Sequence, residues 1–266
     1  MGGLQCGRGH RFDAARQGYV SFAVGRRPSS QGDRPDMIAA RERFLGAGHY
    51  AALADSLAGA AAAIASRAGA EAGILDVGAG PGYYAARVLD RIPGAVGIAL
   101  DASKAAAKRA ARAHPRLGAI VADASRELPI RSGSIAVALS VFAPRGAVEI
   151  QRVLAPRGGW LVALPAAGHL RELVRPLGLL HVEENKPERL RERVGGRFEL
   201  VGEQRVERKL ELDADDAADV VRMGPSAFHL APDAIARRVA RLGRFPASVT
   251  ASFRVYRFEP IEAGRA

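Results

Sequence analysis

The stretch Ile74-Leu75-Asp76-Val77-Gly78-Ala79-Gly80-Pro81-Gly82-Tyr83-Tyr84 decides the fold. A short apolar run carrying one acid reads as a buried strand, followed by a glycine turn and the start of a helix. Gly78, Gly80 and Gly82 stand in a G-x-G-x-G spacing. Glycine permits left-handed backbone and lets a ligand approach with no Cβ in the way. The helix that follows offers free N–H groups. Dinucleotide folds seat a pyrophosphate on G-x-G-x-x-G. Here the third glycine comes one residue early, and Asp76 ends the strand. A carboxylate there repels a pyrophosphate but suits a cationic amino group, and no lysine-bearing phosphate loop precedes it. S-adenosylmethionine, with an ammonium, a sulfonium and no phosphate, fits best; a dinucleotide is the alternative.

Outward from this loop, short apolar runs alternate with helix-length segments, the rhythm of βαβ units and a parallel sheet. Strands are expected at 73–77, 95–100, 118–122, 135–141 and 159–164, with helices at 83–91, 103–113 and 146–154. Upstream, helical patterns cover 37–44 and 51–67; downstream come a helix near 168–179, then a charged stretch, then residues 198–212, and last an antiparallel strand at 248–258 in which apolar and polar residues alternate. The second strand ends at Asp101, placed to accept ribose hydroxyls. The third is followed by Asp123, placed to bond an adenine amino group. Taken singly, each aspartate is explained equally well as a helix cap; together with the glycines they form a cofactor constellation.

The chain has 266 residues, 48% of them apolar, enough for a real core. No run of about 18 apolar residues suggests a membrane helix, and no signal pattern opens the sequence. A single cysteine excludes an internal disulfide framework. A cytoplasmic protein without membrane contact is the simplest reading. Lys plus Arg total 39 against 28 Asp plus Glu, a net charge of +11. Such an excess draws polyanions, chiefly nucleic acid, although an Arg-, Ala- and Gly-rich chain also reflects a GC-rich genome. Residues 1–22 are Gly-rich and basic, and 25–36 read as a connector. Cys6 and His10 stand in C-x3-H spacing, half of what a tetrahedral zinc site needs.

Several stretches together resemble the bacterial 23S rRNA (guanine-N1)-methyltransferases, closest to the actinobacterial tylosin-resistance branch. They are GHRFDAARQGYVSF, DMIAARERFLGAGHY, LDVGAGPGYY, LDASKAAAKRAARAHP, the FAPR turn at 142–145 and VRMGPSAFH at 222–229. The resemblance runs almost end to end. It implies an α/β, Rossmann-like class I fold, with residues 37–266 forming the S-adenosylmethionine-dependent methyltransferase domain. Residues 1–36 would be a connector and a short N-terminal remnant of a zinc-binding module. Family members carry C-x2-C before C-x3-H; Cys6 and His10 match the second pair only. A start placed too far downstream is the expected explanation, ahead of true loss of the knuckle, and this chain is expected to hold no zinc.

The resemblance also implies roles. Tyr50 and His169 would lie against the cofactor with Gly80 and Pro81, and the turn bearing Phe142, Pro144 and Arg145 would receive the target base. Phe142 would stack on a guanine lifted from its helix, Pro144 would stiffen the turn, and Arg145 would meet a phosphate or base edge; core packing and a solvated arginine explain the same residues as well. Arg8, Arg11, Arg16, Arg26, Arg27 and Arg34 would grip RNA. The substrate would be 23S rRNA, or a large-subunit precursor, at a stem-loop of the peptide exit tunnel, with macrolide resistance as a consequence. Family members can be homodimeric. Methyl transfer to guanine N1 rests on alignment, and no general base is identified. Two other readings fit the loop and acids: a small-molecule methyltransferase, and a catalytically inactive protein that binds RNA and S-adenosylmethionine.

Overall fold

The computed structural model describes residues 2–7, 9–22, 32–69, 73–143, 146–179 and 186–261. The chain begins with a small antiparallel hairpin, β1 (Gly3–Gln5) and β2 (Arg11–Asp13), followed by β3 (Tyr19–Ser21). Two helices come next, α1 (Pro35–Gly46) and α2 (Ala51–Ala68). The βαβ units follow: β4 (Gly73–Val77), α3 (Tyr83–Arg91), β5 (Val96–Asp101), α4 (Lys104–Ala110), β6 (Leu117–Val121), β7 (Ile135–Val141), α5 (Ala147–Val153) and β8 (Leu154–Pro165). The last third holds α6 (Arg171–Leu177), α7 (Lys186–Val194), β9 (Phe198–Leu212), α8 (Ala214–Met223), a 3-10 turn (Pro225–Phe228), α9 (Pro232–Ala240) and β10 (Ala247–Pro260).

Eight strands form one sheet in the order β3-β6-β5-β4-β7-β8-β10-β9. The strands from β3 to β8 run parallel; β10 is antiparallel to both β8 and β9. The parallel sheet expected from the sequence is therefore borne out. Every residue of β7 is buried, as a central strand covered on both faces must be. Pleating sends alternate side chains to opposite faces. Ile74, Val137 and Leu139 join one apolar cluster with Leu53, Leu57 and Val88; Leu75, Val77 and Ala138 join the other with Ile150, Val153 and Trp160. Trp160 is fully buried, and its indole N–H donates to Ser140 Oγ at 3.1 Å.

The chain leaves β4 toward β5 and β6 on one side and returns through β7 and β8 on the other. The β4/β7 boundary is thus the switch point where open α/β sheets bind ligands. An unexpected strand closes the far edge: β3 pairs with β6 from Tyr19↔Ala119 to Ser21↔Val121. The N-terminal segment is thereby tied to the sheet beside Asp123.

Gly82 fixes how α3 leaves the loop. Its φ is +85°, and a Cβ there would stand 3.0 Å from Ala110 Cα and 3.1 Å from Ala113 Cβ. Gly82→Ala combines left-handed strain with overpacking against α4, each costing about 1–3 kcal/mol. Chemical denaturation is expected to show a loss of at least 2 kcal/mol in all, about the sum of the low ends of those ranges.

Candidate active site

Three glycines turn the chain at the end of β4. Gly78, Gly80 and Gly82 have φ of +74°, +56° and +85°, a conformation side chains disfavour. Gly78 and Ala79 donate their N–H groups to Leu100 O at 2.8 and 3.1 Å, holding the turn against β5. Pro81 is buried within it.

Asp76 is 1% exposed, and neither carboxylate oxygen has a hydrogen-bond partner. Burial, with the Asp101 carboxylate adding to it, pushes its pKa up to about 7; the Ala85 N–H opposes this without satisfying either oxygen. The Tyr84 hydroxyl is likewise buried and unpartnered, with Tyr50, Tyr83, Arg41 and Asp76 among the charges and dipoles that set its ionisation. Buried polar atoms are normally satisfied. Three unsatisfied oxygens around one glycine turn therefore describe a cradle for a polar, cationic group, and a ligand that carries an ammonium and a sulfonium fits those acceptors.

Asp101 is differently employed. Its Oδ2 accepts the Gly80 N–H at 2.9 Å and its Oδ1 accepts the Ser103 N–H at 2.8 Å. It pins the glycine turn to the start of α4 and keeps free lone pairs for a ligand. Asp123 accepts the Ser125 N–H at 2.9 Å and hydroxyl at 2.6 Å, a local turn after β6. Arg41, from α1, was not singled out in the sequence. Its guanidinium bonds Asp33 at 2.6 Å and the Met223 carbonyl at 2.8 Å, and a Cβ at Gly80 would stand 3.4 Å from its Nη1. One arginine among 39 basic residues carries no local mark of such a position.

Tyr50, Phe142 and His169, far apart in sequence, meet around Phe253. Tyr50 lies 4.8 Å from the Phe253 ring, 5.9 Å from His169 and 6.5 Å from Phe142 by ring centroids. Phe142 sits just beyond β7 with φ +57° and is 42% exposed. A large aromatic held left-handed and half out of the core is a strained arrangement. The Tyr50 phenol is buried, which raises its pKa and keeps it protonated.

His169 has a defined proton. Its Nδ1 accepts the Ser252 backbone N–H at 3.2 Å, so in the neutral ring Nε2 carries the hydrogen and donates to Tyr50 Oη at 3.2 Å. Burial lowers its pKa to about 4. The folded state prefers the neutral ring, so this residue's contribution to stability is present above the unfolded value, about 6.5, and is lost as pH falls toward 4. Nitrogen-detected NMR is expected to show one Nε2-protonated tautomer from pH 8 to 5; titration near 6.5 would contradict the geometry.

Pro144 and Arg145, and Arg8, Arg26 and Arg27, lie outside the described residues. Cys6 and His10 face each other across the β1–β2 turn, Sγ to Nδ1 at 3.3 Å. Among the described residues no group of three or more His, Cys, Asp or Glu is arranged to hold a metal. No helix among them is long and apolar enough to cross a membrane.

Comparison with known proteins adds an independent line. Residues 74–158 match a methyltransferase-domain family. The chain is 48% identical over 256 residues to the 23S rRNA (guanine(748)-N(1))-methyltransferase of Streptomyces fradiae, covering 96% of this chain and 90% of that protein. It is 46% identical to a Micromonospora griseorubida protein provisionally named a 23S rRNA (guanine-N(1)-)-methyltransferase, covering 97% of this chain and 90% of the other. Among solved structures, a chain from the complex of the Haloferax volcanii Trm112 methyltransferase activator with a methyltransferase shares the fold. Its TM-score is 0.51 at 20% identity, covering 88% of this chain and 100% of that one.

Proposed function

The chain belongs to the 23S rRNA (guanine-N1)-methyltransferase family, and from that premise we propose that it methylates N1 of a guanine in a 23S rRNA stem-loop. The observation that carries the reading is the pairing, at one switch point, of a buried unpartnered carboxylate with an exposed, left-handed aromatic. Asp76 and the glycine turn hold the amino-acid part of S-adenosylmethionine, with Arg41 receiving its carboxylate. Asp101 takes the ribose and Asp123 the adenine. Bound there, the cofactor supplies a methyl group on a positively charged sulfur.

Tyr50 and His169 wall the reacting centre. Phe142 stacks on the guanine after it leaves its helix, a step costing a few kcal/mol and less from a loop. The chain's contribution is in-line alignment of N1 with the methyl group. None of the described side chains around the centre offers a strong base: both His169 nitrogens are engaged, and Tyr50 stays protonated. The weakly acidic N1 proton therefore passes to solvent. The protein works in the cytoplasm on large-subunit RNA or its precursor.

The test is expression in a host lacking such an enzyme, then reverse transcription across its large-subunit RNA. Methyl on N1 blocks the pairing edge, so a new stop one nucleotide short of a stem-loop guanine is expected. An unchanged stop pattern would refute the reading.

A further inference from the structure

Beside the site lies a cavity of about 280 Å³ that the proposed chemistry does not use. Ala167, Gly168 and Thr250 form one wall; Arg171, Arg205, Arg208 and Lys209 line the rest with a single acid, Glu207. It is smaller than the roughly 300–1,000 Å³ of small-molecule sites, and it lacks their apolar lining. Its cations are not a solvated strip along one strand. Arg205, Glu207 and Lys209 share a face of β9, alternating with the buried Val206 and Leu210 and with Arg208, while Arg171 comes from α6, after the turn that carries His169.

The charges do not cancel. Arg205 pairs with Glu207 at 2.5 Å, and Lys209 and Arg171 share Glu172 at 3.3 and 3.4 Å. Glu172 is itself committed, accepting the Thr250 N–H at 3.0 Å and its hydroxyl at 2.6 Å. Arg208 donates to the Glu207 carbonyl at 3.0 Å, not to a carboxylate. Three cations, Arg171, Arg205 and Lys209, thus share two carboxylates, Glu172 and Glu207. Two of the side chains are arginines with more than 60% of their surface exposed, Arg171 at 68% and Arg205 at 61%, so an anion can reach both. Guanidinium groups match a phosphate's oxygens in a fork.

Position makes the anion specific. Gly168 precedes His169, whose ring meets Tyr50, and the Ser252 N–H that fixes His169 is two residues from Thr250. We infer that this cavity receives a backbone phosphate of the RNA strand flanking the target guanine, so that Arg171, Arg205 and Lys209 set the register in which the base reaches Phe142. This rests on the RNA reading above.

The test compares Arg171→Gln/Arg205→Gln/Lys209→Gln with a control of equal charge change at exposed arginines outside the cavity lining, Arg67→Gln/Arg87→Gln/Arg237→Gln. The probe is an RNA fragment holding the stem-loop modified in cells. Each lost phosphate contact lowers the slope of log affinity against log salt by about 0.7–0.9. The pocket variant is expected to lose at least one such increment and to raise KM for RNA tenfold or more. Its kcat at saturating RNA and its affinity for S-adenosylmethionine should hold, and Arg205→Lys should keep most of the slope. An unchanged slope, or equal loss in the control, would overturn the pocket while leaving the enzyme's function standing. Failure of the wild-type protein to bind or modify RNA would overturn both.

Discussion

At pH 8 the Asp76→Asn protein is expected to melt above wild type and to gain nothing from S-adenosylmethionine. Both effects come from one carboxylate. Asp76 is buried beside Asp101 with no hydrogen-bond partner, and its pKa stands at about 7 against an ordinary value of 3.8. Folding therefore has to desolvate a charge. The gap corresponds to on the order of 4 kcal/mol, at about 1.4 kcal/mol per pKa unit. Because the folded pKa is raised, the sign is opposite to that of a paired carboxylate. The cost is absent below the unfolded pKa, grows as pH rises from about 4 to 7, and is flat above. An amide cannot ionise, so the variant's advantage should follow that curve: several degrees of Tm at pH 8, at about 2–4 °C per kcal/mol, and little at pH 5. Differential scanning fluorimetry of both proteins across pH reads this directly.

The ligand half of the prediction has the opposite sign. A cationic amino group entering the cradle relieves the charge that destabilises the free protein. Removing one partner of a buried, hydrogen-bonded charge pair costs about 2–5 kcal/mol, so affinity for S-adenosylmethionine should fall by on the order of 10²-fold or more. A variant no more stable than wild type that still binds the cofactor normally would show that Asp76 is a structural carboxylate.

That carboxylate was legible in the sequence because its surroundings are local. Residues 73–84 contain a strand, a turn and a helix start whose signals do not depend on distant partners, and β4 and α3 fall at 73–77 and 83–91 as the pattern predicts. The strand at 135–141 follows for the same reason, whereas residues 198–212 set too many charges between their apolar positions to announce β9. What was not legible depends on packing. The helix α7 has two buried apolar anchors, Leu190 and Val194, in an otherwise charged run, too few to show a helical period. The helix α8 did carry a usable mark, Asp213 and Asp216 closing a reciprocal capping box, although with aspartate where glutamate is usual. The pairing of β3 with β6 joins residues about a hundred positions apart, and three residues carry no periodicity to announce it. Tyr50 and His169 are separated by 119 positions. No local spacing relates them; only resemblance to a family put both beside one cofactor. Arg41 lies within the family-like stretch 36–50, but neither spacing nor resemblance gave it a role.

Phe142→Ala is expected to lower kcat/KM for RNA by roughly 5- to 150-fold while leaving cofactor affinity unchanged. The range follows from base–aromatic stacking, worth about 1–3 kcal/mol per base. Phe142 is held by little else: its N–H donates to Ala163 O at 3.1 Å, and its ring lies 5.7 Å from Phe253. Left-handed backbone costs a non-glycine residue about 1–3 kcal/mol, and the fold tolerates it here while leaving the ring 42% exposed. Phe142→Gly separates the two contributions. It removes the strain and the ring together, so it should match Phe142→Ala in activity while being more stable than Phe142→Ala by about 1 kcal/mol. Phe142→Trp keeps a stacking face and should retain most activity. If the ring were only a lid on Tyr50 and Phe253, both truncations would weaken cofactor binding and lower Tm together, and kcat/KM would fall no further than those losses require. Stacking instead predicts a defect confined to the RNA: normal binding of S-adenosylmethionine, a near-normal melting curve, and a reaction that slows because the guanine, once out of its helix, has no face to rest on.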